Sequence, residues 1–259
     1  MLHRFDLLTP YPEVVAGYTD RQDGVSRGSF ASFNTNSYCG DDPSAVGANR
    51  EALERSLGMR LVTARQVHGT GILTVCGNAL EGAPSGELAD EADALVCAEP
   101  GLLIGVHTAD CIPLLLYDPV QRVCAAVHAG WRGTVRGVTR LTIRYMEREF
   151  GCIPARMAVC IGPGISAEAF EVGDEVYEAF RDGGFPMRSI ASHPAPGGKW
   201  HIDLKEANRH LLRQSGVTDA LTADAGVCTF RDADYYSARR DGTRTGRLLT
   251  CIGLRPSRL

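Results

Sequence analysis

The stretch ADALVCAEPGLLIGVHTADCIPLLLYDPVQRVCAAVHA, residues 92–129, holds several strand-like apolar runs with no helical pattern between them. The runs ADALVCA, GLLIGVHTA and RVCAAVHA are short, rich in β-branched and aliphatic residues, and separated by turn-forming residues. A doubly wound parallel sheet would need a helix between successive strands. The stretch therefore favours an α+β fold with mixed β-sheets.

Asp110 and Cys111 interrupt the most apolar part of this stretch, GVHTADCIPLLLYDP (105–119), and a proline follows closely. Burying an unpaired carboxylate or thiolate is expensive, so such an interruption usually has a partner or a chemical role. Two interpretations are open: a structural accident, or a thiol displayed at a strand end for chemistry.

Helical periodicity appears on both sides of the stretch. It predicts a helix over 43–58 that ends at Gly58, and a second over 134–150 that is closed by Gly151. The remaining predicted elements are helices at about 171–182 and 203–215, a strand within 156–165 and a last strand near 248–254.

Length and composition are those of an ordinary globular protein, with 259 residues, 44% of them hydrophobic and 22% charged. The loop-like stretches 81–92 and 192–199 are interpreted as surface insertions, so we predict a single domain over 1–259. A net charge of -4 leaves no basic excess for nucleic-acid binding. No apolar run approaches the roughly 18 residues of a membrane span, so no membrane association is expected.

The nine cysteines are odd in number and include no CxxC pair, and the N-terminus is too polar for a signal peptide. Cysteines in such a chain are expected to be reduced thiols, so the predicted location is the cytoplasm. We expect the protein to be a monomer or a weak homodimer.

His68, Cys111 and His128 share one feature: each is the last residue of an apolar run before a loop. Imidazole and thiolate are donors that zinc prefers, and three protein ligands leave the fourth position for water or substrate. These three residues therefore predict one zinc ion with an open fourth position. Asp110 would support the site as a hydrogen-bond acceptor or as a general base.

The motifs RQVHG, ADALVC, TADCIPLLLYD, AAVHAGWRGT, IGPGI…FEVGDEV and CT…YYSARRDGTRTGR resemble, in order and spacing, those of the YfiH-type laccase-domain family. This family is also called multicopper polyphenol oxidase or peptidoglycan editing factor. The segment GVSRGSFASFNTN…DDPSAVGANR resembles its N-terminal part, so the resemblance covers nearly the whole chain. It implies a single domain with a four-layer α/β/β/α architecture, a fold related to cysteine hydrolases. It also implies one zinc ion held by the residues matching His68, Cys111 and His128.

The activity that the resemblance implies is phosphorolysis of adenosine, inosine, guanosine and methylthioadenosine, together with deamination of adenosine. Purine nucleosides and phosphate are thus the expected partners. A multicopper oxidase would need about ten histidines, largely in H-x-H pairs, to hold its coppers. The chain has seven histidines and no H-x-H pair, so the laccase activity in the family name is not expected.

Arginine is the residue expected to position phosphate, because its planar fork matches phosphate oxygens. Arg65 lies near His68 in the sequence and Arg132 near His128, which makes both candidates for substrate binding. Arg239 and Arg247 in the C-terminal motif are further candidates. Asn34 in SFNTN matches the family's N-terminal polar position and could bind the ribose or the base, or cap a turn.

His107 is predicted to be a packed histidine, or one that supports the metal site without binding the metal, since four residues of strand place it about 13 Å from Cys111.

Two other interpretations stay open. Cys111 could be the nucleophile of a metal-free cysteine hydrolase, an amidase that edits peptidoglycan precursors, with His68 or His128 as the base. A structural zinc in an interaction protein is less favoured, because such sites usually have four ligands and paired CxxC motifs.

Overall fold

Two six-stranded mixed sheets and a small three-stranded sheet form the fold, among the residues that the structure describes. The structure, a computed structural model, describes residues 2–80, 83, 85–193 and 197–256. In chain order its strands are β1 (Leu2–His3), β2 (Val14–Thr19), β3 (Arg60–Arg65), β4 (Ile72–Thr74), β5 (Glu87–Glu91), β6 (Ala94–Cys97), β7 (Leu102–Thr108), β8 (Ile112–Asp118), β9 (Val123–Ala129), β10 (Ala158–Ile161), β11 (Glu171–Val172), β12 (Ala191–Ser192), β13 (Trp200–Ile202), β14 (Thr222–Asp224) and β15 (Leu248–Leu254).

The strand order is β1-β2-β15-β7-β3-β5 in the first sheet and β14-β10-β8-β9-β6-β4 in the second. In the first sheet β15 pairs antiparallel with β7, whereas β3 pairs parallel with β7. In the second, β8 and β9 are antiparallel and β4 runs parallel to β6. The α+β prediction with mixed sheets is therefore confirmed.

The helices of the described residues are α1 (Pro43–Leu57), α2 (Trp131–Val135), α3 (Val138–Phe150), α4 (Asp174–Asp182), α5 (Met187–Ile190), α6 (Leu204–Gln214) and α7 (Ala238–Asp241). The predicted helix over 134–150 is instead two helices, because Gly137 adopts a left-handed φ of 78° between them. The helix predicted from 171 begins later, since Glu171 and Val172 pair with β13.

One of the two predicted surface insertions contains a strand. Residues 87–91 of the predicted surface loop 81–92 form β5, an edge strand that pairs parallel with β3. Residues 81, 82 and 84, and residues 194–196 of the loop 192–199, lie outside the described residues.

The layers stack as helix, sheet, sheet, helix. Leu95 of β6 and Ile104 of β7 belong to the apolar core between the two large sheets. Helix α1 covers the outer face of the first sheet through Leu53, while α3, α4 and α6 pack on the outer face of the second. Strand β8 is buried on both faces, which explains why IPLLLY is apolar throughout rather than alternating.

Residues 109–111 carry the chain from the first sheet, at the end of β7, to the second, at the start of β8. Asp110 stands in this crossover with a positive φ of 90°. Its carboxylate accepts hydrogen bonds from Thr229 Oγ1 (2.7 Å) and from the backbone N–H of Arg239 (2.7 Å). The polar break in the apolar stretch is thus a turn between sheets, and its charge is paired with donors.

No helix in the described part of the chain is both long and apolar enough to cross a membrane.

Candidate metal centre

His68, Cys111 and His128 converge at one end of the two large sheets. Their ligand atoms all lie within 4.8 Å of one another, and Cys111 Sγ is 3.8 Å from His68 Nε2. The three residues are placed differently from the prediction that each ends a strand. His68 lies in the loop after β3, Cys111 directly precedes β8, and His128 lies inside β9.

Asp93, a residue that sequence reasoning left without a role, organises two of the three side chains. Its fully buried carboxylate accepts a hydrogen bond from His128 Nδ1 at 2.7 Å, which leaves Nε2 of that ring to face the cluster. The same carboxylate accepts the backbone N–H groups of His68 (3.0 Å) and Gly69 (2.7 Å). It therefore fixes both the His128 ring and the loop that carries His68.

Gly130 keeps the space between the three side chains open. A Cβ at this position would lie 2.9 Å from His68 Cδ2 and 3.0 Å from Cys111 Sγ, closer than a Cβ normally approaches another heavy atom. Two imidazoles and one thiol around such a space form a donor set that could hold a borderline-soft metal ion.

The charges of Cys111 and His128 stabilise each other in the metal-free protein. Burial alone would raise the pKa of the Cys111 thiol, but the neighbouring His128 and His68 rings lower it to about 6. Burial alone would lower the pKa of His128, but the Cys111 thiolate and the Asp93 carboxylate raise it to about 9. The thiolate form needed for metal binding is thus favoured at neutral pH.

We predict that iodoacetamide modifies Cys111 in metal-stripped protein, and that the rate of modification rises with pH. The midpoint of this rise should lie near pH 6, because the pKa of the Cys111 thiol is about 6. Buried thiols should react little at this pH, because burial raises the pKa of Cys97 to about 11 and that of Cys160 to about 12. Mass spectrometry of tryptic peptides measures the rate at each cysteine. A Cys111 midpoint near pH 9 would contradict the charge pairing.

A cavity of about 510 Å³ opens over the three residues. His68, Cys111, His128 and Asp110 all line it, as does Arg65. The Arg65 guanidinium also forms an ion pair with Glu91 at 3.2 Å, and both side chains are more than half exposed. The cavity is large enough for a small organic substrate beside the cluster.

Asn34 and Arg132 are not part of this cavity lining. Asn34 is fully buried. Its Nδ2 donates to Asp41 Oδ2, and its Oδ1 accepts the backbone N–H groups of Asn36 and of Arg247 (3.0 Å). Arg132 is exposed, and its guanidinium stacks 4.2 Å from the centre of the Trp131 ring. Their predicted contacts with substrate stay predictions.

The sequence profile described as "Multi-copper polyphenol oxidoreductase laccase" matches residues 15–255. The chain belongs to this family. A protein of Bacteroides thetaiotaomicron named "Purine nucleoside phosphorylase" is 41% identical over 255 residues, covering 96% of this chain and 94% of that protein. One named "Adenosine deaminase RL5", from an unknown prokaryotic organism, is 35% identical over 257 residues, covering 97% and 98% of the two chains.

A solved structure shares the fold of this laccase-domain chain. The crystal structure of Bacillus licheniformis "hypothetical protein YfiH" superposes with a TM-score of 0.86 at 30% identity, covering 94% of each chain. The resemblance to the YfiH-type family and the fold it implied are thereby confirmed.

The laccase-domain name describes chemistry that needs several coppers. Across residues 2–80, 83, 85–193 and 197–256, His68, Cys111 and His128 are the one group of three or more histidine, cysteine or carboxylate side chains near enough together to hold a metal ion. His107, which also lines the cavity, bonds through Nε2 to Thr35 Oγ1 (2.9 Å), and burial lowers its pKa to about 3. It is a packed neutral histidine, as predicted, and not a further ligand in that group.

Proposed function

We propose that the protein is a zinc-dependent purine nucleoside phosphorylase that also deaminates adenosine. The observation that carries the proposal is the convergence of His68, Cys111 and His128 on the floor of a cavity of about 510 Å³. Relatives that match nearly the full chain bear the names purine nucleoside phosphorylase and adenosine deaminase. Adenosine, inosine, guanosine and methylthioadenosine are the proposed nucleosides. Cytoplasmic location and a monomeric or weakly dimeric state stay predictions.

The donor set of two imidazoles and one thiolate suits a single zinc ion better than it suits the copper cluster of a laccase. One thiolate and two imidazoles are ligands that zinc prefers, with the Asp93 hydrogen bond fixing the tautomer of His128. His68, Cys111 and His128 would hold the zinc ion, which would supply Lewis-acid chemistry at an oxygen of the substrate or of water.

Phosphorolysis exchanges one bond at the ribose C1′ for another. A phosphate oxygen bonds to C1′ while the bond from C1′ to the purine nitrogen breaks, its electron pair leaves with the base, and the phosphate proton is transferred to the base. Because the transition state resembles an oxocarbenium ion, the enzyme must hold an anionic nucleophile beside C1′. Deamination replaces the 6-amino group of adenosine by a water oxygen and releases ammonia.

The role of Asp110 in this proposal is positional. Both of its carboxylate oxygens accept hydrogen bonds, from Thr229 Oγ1 and from the N–H of Arg239. These bonds hold the turn that presents Cys111. Each carboxylate oxygen keeps a second lone pair, and Asp110 lines the cavity, so its predicted role as a general base stays a prediction.

A cysteine amidase that edits peptidoglycan precursors is a second candidate, and one observation favours it. In space, the Cys111 thiol lies beside the His128 ring, and that ring bonds to the Asp93 carboxylate. This is the arrangement of a nucleophile, a base and an orienting carboxylate. In this alternative the lowered pKa of Cys111 would serve nucleophilic attack instead of metal binding.

Turnover of inosine with and without phosphate tests the proposal. We expect hypoxanthine and ribose 1-phosphate when phosphate is present, and no comparable release of base without it. Free ribose formed at the same rate in phosphate-free buffer would mean hydrolysis and would refute phosphorolysis. Zinc content measured on the same preparation separates both outcomes from a metal-free amidase.

A further inference from the structure

Two arginines of the C-terminal motif, Arg239 and Arg247, lie on the wall of the cavity over the metal centre. The described lining of the cavity thus contains three arginines, counting Arg65, and one carboxylate, that of Asp110. That carboxylate is already engaged by Thr229 and by a backbone N–H. This cavity therefore carries a local excess of positive charge in a chain whose net charge is -4.

Neither guanidinium forms an ion pair with a carboxylate among the described residues. Arg239 Nη1 donates to the backbone carbonyl of Glu171 at 2.9 Å. Arg247 donates to the carbonyls of Thr245 (2.5 Å), Gly246 (3.0 Å) and Thr243 (3.0 Å). Carbonyl acceptors fix the orientation of a guanidinium without neutralising its charge. Each group has five N–H donors, so donors remain for an anion.

The backbones of both arginines are tied to the metal centre or to the buried loop behind it. The N–H of Arg239 donates to Asp110 Oδ2 at 2.7 Å, and Asp110 directly precedes the ligand Cys111. The N–H of Arg247 donates to Oδ1 of the fully buried Asn34 at 3.0 Å. The two cations are thus fixed relative to the place where the nucleoside would bind.

We propose that Arg239 and Arg247 form the binding subsite for inorganic phosphate. This inference rests on the proposed function and assigns the nucleophile of the reaction to one side of the cavity. The guanidinium groups of Arg239 and Arg247 have no carboxylate partner in the part of the chain that the structure describes, and their planar geometry matches the oxygens of a phosphate dianion. Arg65, in contrast, already forms an ion pair with Glu91. The phosphate oxygen held there bonds to C1′ as the purine leaves with the electron pair of the broken bond.

Steady-state phosphorolysis by the variants Arg239→Gln and Arg247→Gln tests the subsite. With inosine saturating, the KM for phosphate should rise about ten- to a hundredfold in each variant, because a charge-assisted contact is lost. The KM for inosine and the zinc content should stay near wild type. Arg244→Gln is the matched control, since Arg244 is exposed in the same segment and absent from the cavity lining.

Calorimetric titration of the zinc-loaded proteins with inorganic phosphate gives a second readout that does not depend on turnover. Wild type and Arg244→Gln should bind phosphate, and the two test variants should bind it much more weakly. If either test variant does not fold, its lysine counterpart, which keeps the charge but loses the fork, should show a smaller loss of the same kind.

An unchanged KM and unchanged phosphate binding in both test variants, beside normal phosphorolysis, would overturn the subsite and leave the proposed function standing. A loss of phosphate binding in Arg132→Lys alone would overturn it too, because the subsite would then lie beside Trp131. Release of free ribose by wild type without phosphate refutes the proposed function. In that case, wild type that binds no phosphate in the titration overturns the subsite as well.

Discussion

Protein with Cys111→Ser should lose most of its zinc and at least about a hundredfold of its phosphorolysis rate. A serine hydroxyl is a poor zinc donor at neutral pH, and the pair of histidines left behind offers only two protein ligands. A bound metal contributes several kcal/mol to the stabilisation of charge in a transition state, which sets the size of the expected loss. Metal analysis of protein purified without added metal, run beside inosine turnover, measures both effects.

Cys228→Ser is the matched control for this substitution. Cys228 is also half-buried, and its sulfur accepts the backbone N–H of Ser166 at 3.3 Å, outside the three-residue cluster. The control should keep wild-type zinc content. A full zinc complement in Cys111→Ser would remove Cys111 from the set of ligands. Wild-type protein without zinc, inactivated by alkylation of Cys111, would support the amidase instead.

The three cluster residues could be predicted from the sequence because their chemistry conflicts with their surroundings. A thiol and a carboxylate inside GVHTADCIPLLLYDP require an explanation, and histidines beside glycines at RQVHG and VHAG require another. The sequence pattern did not reveal why Asp110 and Cys111 interrupt the apolar stretch at this position. Residues 109–111 cross between sheets, and a crossover depends on strand pairing between distant segments, such as β7 with β15.

The residues that line the cavity were harder to predict, because proximity in sequence says little about where a long side chain points. Arg132 is four residues from His128, yet it lies in the first turn of α2 and stacks on Trp131. Arg239 and Arg247 are more than a hundred residues from His68, Cys111 and His128 in sequence, yet they line the same cavity. Hydrogen bonds of Asp110 and Asn34 bring that distant segment to the site.

Asp93 carried a signal that could have been used. It is an ionisable residue directly before the apolar run ALVC of the buried strand β6, and it is fully buried. A carboxylate in such a place needs several donors. The structure supplies them from His128 and from the backbone at Val67, His68 and Gly69.

Asp93→Asn should therefore weaken zinc binding about ten- to a hundredfold and lower the free energy of unfolding by about 3–5 kcal/mol. The amide has one acceptor oxygen where the carboxylate has two, so a donor of His128 or of the His68 loop would face an N–H group. Competition with a chromophoric chelator measures the zinc affinity, and denaturant titration measures the stability.

The stability difference between wild type and Asp93→Asn should depend on pH in a stated direction. Burial alone would raise the pKa of Asp93, but its hydrogen bond and charge interaction with His128 lower that pKa below the ordinary value of 3.8. A lowered pKa stabilises the fold above the unfolded value, and this contribution is lost as pH falls through the folded value. The difference should thus shrink below about pH 4. It should also shrink as pH rises from about 6.5 to about 9, because the Asp93 carboxylate helps to raise the pKa of His128 from 6.5 to about 9.

Asp118→Asn separates metal positioning from stability. Asp118 is equally buried, but it lies at the other end of β8 from Cys111, where its carboxylate accepts the N–H groups of Val120 and Ile153. Both variants should lose stability, because each leaves a buried donor without its acceptor. Only Asp93→Asn should lose zinc affinity, since of the two carboxylates only Asp93 holds the ring of His128, a proposed zinc ligand. Equal zinc affinity in the two variants would show that Asp93 supports the fold alone and that the ring of His128 is held without it.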